Sequence, residues 1–87
     1  MNEKELYAKA LSKWGASAQV GMLTEEMGEV LVALNKVTRN YNNCTIEELQ
    51  FELVDLEIML EQMKILFPGN YRMMKIQKLL RLEEMVL

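Results

Sequence analysis

The chain contains no histidine, one cysteine, one proline, four glycines and only 7% aromatic residues. Each shortage excludes something. Without imidazole, zinc hydrolase sites and di-iron bundles built on Glu-x-x-His pairs lack a ligand on which they ordinarily draw. Cys44 alone forms neither an intramolecular disulfide nor a thiolate cluster, and a lone cysteine fits a reducing compartment, so a cytoplasmic location is expected. Long apolar runs are absent too: the longest, Val30 to Leu34, is far short of the ~20 residues that cross a bilayer. The opening Met1-Asn2-Glu3-Lys4-Glu5 lacks the apolar core of a signal peptide. A net charge of −3 supplies no concentrated basic face for a phosphate backbone. Neither a membrane nor a nucleic acid is an expected partner.

What is present favours helix. Hydrophobic residues make up 51% of the chain and charged ones 26%, and Leu, Met, Glu, Lys and Ala dominate. The expected fold class is all-α, in one domain spanning residues 1–87. A chain this short has little core to spare, so burial against a second chain would help.

Asn2 followed by Glu5 resembles a helix start, and Leu6, Ala10, Leu11 and Trp14 continue an amphipathic stretch that Gly15 interrupts. This predicts a first helix over about residues 3 to 13. A second, from about Ser17 to Asn40, follows from Leu23, Met27, Val30, Leu31, Leu34 and Val37 recurring at three and four, a stripe read as its core face. At about 100° per residue, Gln19, Glu26 and Ala33 form one line at the edge of that stripe, with Glu29 about 60° further round. Gly21 and Gly28 lie on a second line, each costing about 1 kcal/mol relative to Ala. Two readings stand for them, close packing against another helix or subunit and simple tolerance.

Arg39-Asn40-Tyr41-Asn42-Asn43-Cys44 reads as a connection, and Thr45-Ile46-Glu47-Glu48 as a capping box opening a third helix. Ile46, Leu49, Leu53, Leu56, Leu60, Met63 and Phe67 keep a three-four repeat along it. Further apolar residues, among them Phe51, Val54, Ile58 and Met59, cover much of the remaining surface, so the third helix should be central. Its polar strip, Gln50, Glu57, Glu61 and Lys64, puts Glu52 and Asp55 nearly opposite, pointing inward. Phe67-Pro68-Gly69 ends it, and a fourth helix starts at Asn70 or Tyr71. The expected architecture is a four-helix bundle with the second and third helices antiparallel.

An ionised carboxylate removed from water is costly unless paired or bound to a metal. Glu26 and Glu29 on the second helix and Glu52 and Asp55 on the third can converge if those helices pack antiparallel. With no histidine available, the natural guest is a hard cation on oxygen ligands, Mg²⁺ or else Mn²⁺.

Trp14-Gly15, Gln19, Met22-Leu23-Thr24-Glu25-Glu26-Met27-Gly28-Glu29, Ala33-Leu34-Asn35-Lys36, Arg39, Glu52-Leu53-Val54-Asp55 and Ile58-Met59-Leu60-Glu61-Gln62 together resemble the MazG-type all-α nucleoside triphosphate pyrophosphohydrolases, in their short single-domain form known from phages and Firmicutes. The likeness runs over about residues 7 to 67. It implies Mg²⁺-dependent hydrolysis of a ribo- or deoxynucleoside triphosphate to the monophosphate and pyrophosphate, a house-cleaning role, and a homodimer or homotetramer. By motif position it implies Glu26, Glu29, Glu52 and Asp55 as metal ligands. The catalytic acids would be Glu25 and Glu26, Glu25 orienting or deprotonating water. Trp14 and Gln19 match the nucleotide side of the pocket, although Trp14 reads equally as a core or interface aromatic.

Lys36, Arg39, Lys75, Lys78 and Arg81 are the basic candidates for phosphate contact, with a solvated surface role as the competing reading for each. Phe51 departs from the pattern, since relatives commonly carry a second acid before the Glu-x-x-Asp pair. Glu47, Glu48, Glu57 and Glu61 read as capping or solvated charges. The competing function is a non-enzymatic helical interaction module whose acids hold a structural ion or a water network.

Overall fold

The computed structural model describes residues 1–39 and 46–87. Among the described residues the fold is all-helical, with α1 (Glu3–Trp14), α2 (Ala16–Thr38), α3 (Ile46–Leu66) and α4 (Tyr71–Val86). The expected connection beyond Arg39 and the Thr45 cap lie outside the described residues.

Local chemistry explains the boundaries. The Asn2 side chain accepts a hydrogen bond from the Glu5 amide at 2.8 Å and donates one to the Glu5 carboxylate at 3.2 Å, closing the start of α1. Gly15, at φ +89° and ψ 158°, lies between α1 and α2 in a region that only glycine adopts without strain. Pro68 follows the end of α3, and Asn70 caps α4 by accepting from the Met73 amide at 3.2 Å.

The helices α2 and α3 run antiparallel in their closest packing, and α1 rests on both. The expected central position of α3 thus holds for these three. Within one chain, however, α4 stands apart: it has no buried residue and packs lengthwise on none of the others. Its apolar residues explain this, since Ile76 and Leu80 project nearly opposite to Leu82 and Met85 and leave no single stripe to lay on the trio. A radius of gyration of 15.9 Å, against about 12 Å for a compact domain of this length, reflects the same projection.

The core is smaller and more polar than the sequence stripes suggest. Among the described residues its buried apolar members are Ala33, Met59 and Met63, joined by Gln19 and Gln62. On α2 the line facing α3 is Gln19, Glu26 and Ala33, while Met27, Leu31 and Leu34 of the expected core stripe are exposed and Leu23, Val30 and Val37 half-buried. On α3 the rotation is similar: Met59, Gln62 and Met63 go inside, and Ile46, Leu53, Leu60 and Phe67 face out. Both helices carry apolar arcs wider than one partner covers, and packing selects the part that holds the small Ala33 and the paired amides.

Candidate metal and anion site

Three carboxylates meet in the groove between α2 and α3. Glu26, Glu52 and Asp55 each offer an oxygen, and these oxygens lie within 4.8 Å of one another. Helical spacing puts Glu52 and Asp55 one turn apart on α3, and the register and rotation of the antiparallel pair bring Glu26 of α2 to face them. Glu26 and Glu52 are half-buried, whereas Asp55, expected to point inward, is exposed at the rim. Glu29 lies beside the three, its carboxyl in hydrogen-bonding reach of both Glu26 and Glu52.

The electrostatics are unfavourable as they stand. Burial, followed by the neighbouring charges of Glu29 and Asp55, holds the Glu26 carboxyl above its ordinary range. Burial also raises Glu52, helped by its hydrogen bond to Glu29 and the charges of Glu29 and Asp55. One oxygen of each, Oε2 of Glu26 and Oε2 of Glu52, is buried with no hydrogen-bond partner among the described residues. Orphaned carboxylate oxygens are expensive to leave so. A hard divalent cation would satisfy both, and an all-oxygen donor set suits one.

A cleft of about 450 Å³ opens beside this cluster, lined in part by Glu25, Gly28, Glu29, Lys36, Glu48 and Glu52. Lys36 is the one cation among its described lining residues, half-buried near the end of α2. Glu48, read from sequence as a capping or solvated charge, belongs to this wall. Glu61 pairs with Lys64 at 3.0 Å.

Along the same groove, on the far side of the carboxylates, lies an apolar cleft of about 510 Å³ lined by Trp14, Ala18, Gln19, Met22, Met59 and Gln62. Gln19 and Gln62, 4% and 5% exposed, meet across α2 and α3, with the Gln19 amide NH₂ donating to the Gln62 carbonyl at 2.5 Å. Trp14 forms an exposed wall, with Lys13 Nζ 5.3 Å from its ring centre. Gln62 received no role from sequence. A signal for it existed: it follows Asp55 by seven residues as Gln19 precedes Glu26 by seven, so antiparallel helices bring the two amides level about 10.5 Å from the acids.

No family model, curated protein or solved structure matches the chain. The remaining sequence candidates sit elsewhere. Arg39 ends α2, its amide donating to the Asn35 carbonyl at 3.0 Å, and lines neither cleft. Lys75 and Lys78 are exposed on α4 and line neither cleft of their own chain, because α4 does not pack against the groove.

Among the described residues no helix is long and apolar enough to cross a membrane.

Proposed function

We propose that the chain is a MazG-type nucleoside triphosphate pyrophosphohydrolase domain that uses Mg²⁺ to convert a ribo- or deoxynucleoside triphosphate to its monophosphate and pyrophosphate. The observation that carries this reading is the pair of orphaned oxygens on Glu26 and Glu52, beside Asp55 and between two clefts of different character. Half-buried carboxylates crowded together, with no ion pair to Glu26 or Glu52 among the described residues, are rarely kept for stability alone.

Glu26, Glu29, Glu52 and Asp55 would hold the ion. When bound, Mg²⁺ supplies neutralisation of the triphosphate and activation of water. Glu25, exposed at the cleft wall, orients water and takes its proton as it attacks phosphorus at the α–β phosphoanhydride, which breaks to give the monophosphate and pyrophosphate. Lys36 offsets phosphate charge in the acidic cleft, and Arg39 lies at the end of the same helix. The apolar cleft accepts the base, Trp14 offering a flat face and the amides of Gln19 and Gln62 the polar edge. The exposed apolar surface supports a homodimer or homotetramer.

The same apolar surface also favours the second reading, an interaction module whose carboxylates hold a structural ion. Pyrophosphate release from a panel of nucleoside triphosphates with Mg²⁺, Mn²⁺ or EDTA separates the two. The enzyme reading expects release that needs metal and falls at least 100-fold in a folded Asp55→Asn variant. Metal binding without release across the panel would favour the module.

A further inference from the structure

We infer that the Gln19–Gln62 amide pair is a reversible reader of the nucleobase edge, a role that rests on the apolar cleft being the base side of the nucleotide site. A base with an exocyclic amino group and one with a carbonyl in its place are then accepted alike. The cleft suits a neutral, planar guest. Its described lining residues carry no charge, and Trp14, Met22 and Met59 surround the two glutamines with apolar surface. The carboxylates lie about 10.5 Å away along the groove, a separation on the scale of one nucleoside. Besides the indole of exposed Trp14, the strong hydrogen-bonding side chains among those lining residues are the two amides.

The pair is fixed at its inner end and unconstrained at its outer end. Gln19 Nε2 donates to Gln62 Oε1 at 2.5 Å, and both residues are more than nine-tenths buried. No described residue hydrogen-bonds to Gln19 Oε1 or Gln62 Nε2, and neither atom is among the fully buried orphans, which are Oε2 of Glu26 and Oε2 of Glu52. Both outer atoms therefore reach the cleft that their side chains line, one as acceptor and the other as donor. The last torsion of glutamine is broad and roughly two-fold. Turning both amides over keeps the inner bond, with Gln62 now donating to Gln19, and makes the outer acceptor and donor trade places. With nothing else bonded to either amide among the described residues, nothing there ties the pair to one direction.

This exchange matches the difference between amino and keto bases. Cytosine presents an exocyclic amino donor beside a ring-nitrogen acceptor, and uracil a carbonyl acceptor beside a ring N–H donor; adenine and hypoxanthine differ in the same way. A pair fixed in one direction would match one member and set donor against donor for the other, the condition under which a hydrogen-bonding site rejects an analogue. A pair that reverses serves both. What the cleft reads is then the presence of an exocyclic hydrogen-bonding group and not its kind, so the site does not separate a base from its deamination product.

Binding tests this without turnover. Trp14, the chain's one tryptophan, lines the cleft and reports its occupancy by fluorescence. With Mg²⁺, the α,β-imido analogues of deoxycytidine and deoxyuridine triphosphate should bind within about fivefold of each other, and the 2-pyrimidinone analogue, which lacks the exocyclic group, at least about fivefold more weakly than either. The variant Gln19→Met with Gln62→Met removes both amides together and orphans neither. In it the first two analogues should fall to the level of the third, which itself stays within about twofold of its wild-type affinity. A larger preference between cytosine and uracil, a 2-pyrimidinone analogue bound as well as the others, equal weakening of all three in the variant, or no binding of any overturns the inference.

If that variant does not fold, side-chain amide NMR on wild type decides. The NH₂ that donates within the pair should belong to Gln19 in one complex and to Gln62 in the other, and the same residue in both overturns the reversal. Pyrophosphate release from dCTP and dUTP that is unchanged by the double substitution keeps the enzyme and overturns the reader. Binding that follows the exocyclic group, with no release from any triphosphate, keeps the reader and overturns the enzyme reading instead.

Discussion

Glu26→Gln is expected to stabilise the metal-free protein at neutral pH, the opposite of what loss of an ordinary core contact does. Its carboxylate oxygen lies within 4.8 Å of those of Asp55 and Glu52. Two like charges at such a distance repel by about 0.9 kcal/mol under water-like screening, and by about 3.5 kcal/mol at an effective dielectric constant of 20. Asp55 is exposed, which places the interaction toward the screened limit. Removing the Glu26 charge should therefore relieve about 1–2 kcal/mol. In addition, the new amide can donate to a neighbouring carboxylate. In a domain of this size, each kcal/mol moves the melting temperature by roughly 4–8 °C.

The assay is thermal unfolding followed by circular dichroism at pH 7.5, at one protein concentration because association shifts the midpoint. With EDTA the variant should melt above wild type. With Mg²⁺ wild type should gain and the variant gain little, so that their order narrows or reverses. A variant that melts lower without metal, or gains as much from Mg²⁺ as wild type, would refute the account of Glu26 as a strained ligand.

The pH dependence has a definite sign. Glu26 and Glu52 both titrate above their ordinary value of 4.5 in the folded chain, which therefore binds more protons than the unfolded chain in that window. Their contribution to metal-free stability should be full below about pH 4.5 and be lost as pH rises through the raised values; urea midpoints taken in EDTA across this range check it, and a contribution growing with pH contradicts it. Gln62→Leu should cost about 1–3 kcal/mol by leaving the Gln19 amide buried without its partner, while Gln19→Leu with Gln62→Leu should cost much less, as a double-mutant cycle in urea would read. Gly15→Ala should cost about 1–3 kcal/mol because alanine is strained at that positive φ; an unchanged urea midpoint would show that the α1–α2 junction relaxes freely. Asn2→Ala should lower stability by about 1 kcal/mol through the lost cap of α1, with amide exchange at Glu5 accelerated.

Much of the candidate site was legible because helical spacing is rigid. Three residues along α3 put Glu52 and Asp55 on neighbouring turns, and the placement of Glu26 on α2 followed once the two helices were taken as antiparallel. Less legible was how far the cluster is buried. Asp55 lies at the rim, since the rotation of α3 about its axis depends on which of two apolar arcs packs inward, and periodicity ranks them equally. The buried amide pair was missed for a related reason. A glutamine on an apolar helix looks like a surface residue until its mate is level with it across the groove, and that level depends on the axial register of α2 against α3.

The sequence by itself determined the all-α class, the four helices with the Asn2 and Asn70 starts and the Gly15 and Pro68 breaks, and the acids that share a helix face, because these follow from short-range backbone chemistry and a 3.6-residue repeat. Only the tertiary structure decided which arc of each helix faces the groove, that Gln19 meets Gln62, that a line read as the edge of α2 forms its interior, and that α4 stands clear of the other three. Those outcomes depend on contacts between residues far apart in the chain, where shape and register choose among faces that hydrophobicity alone leaves equivalent.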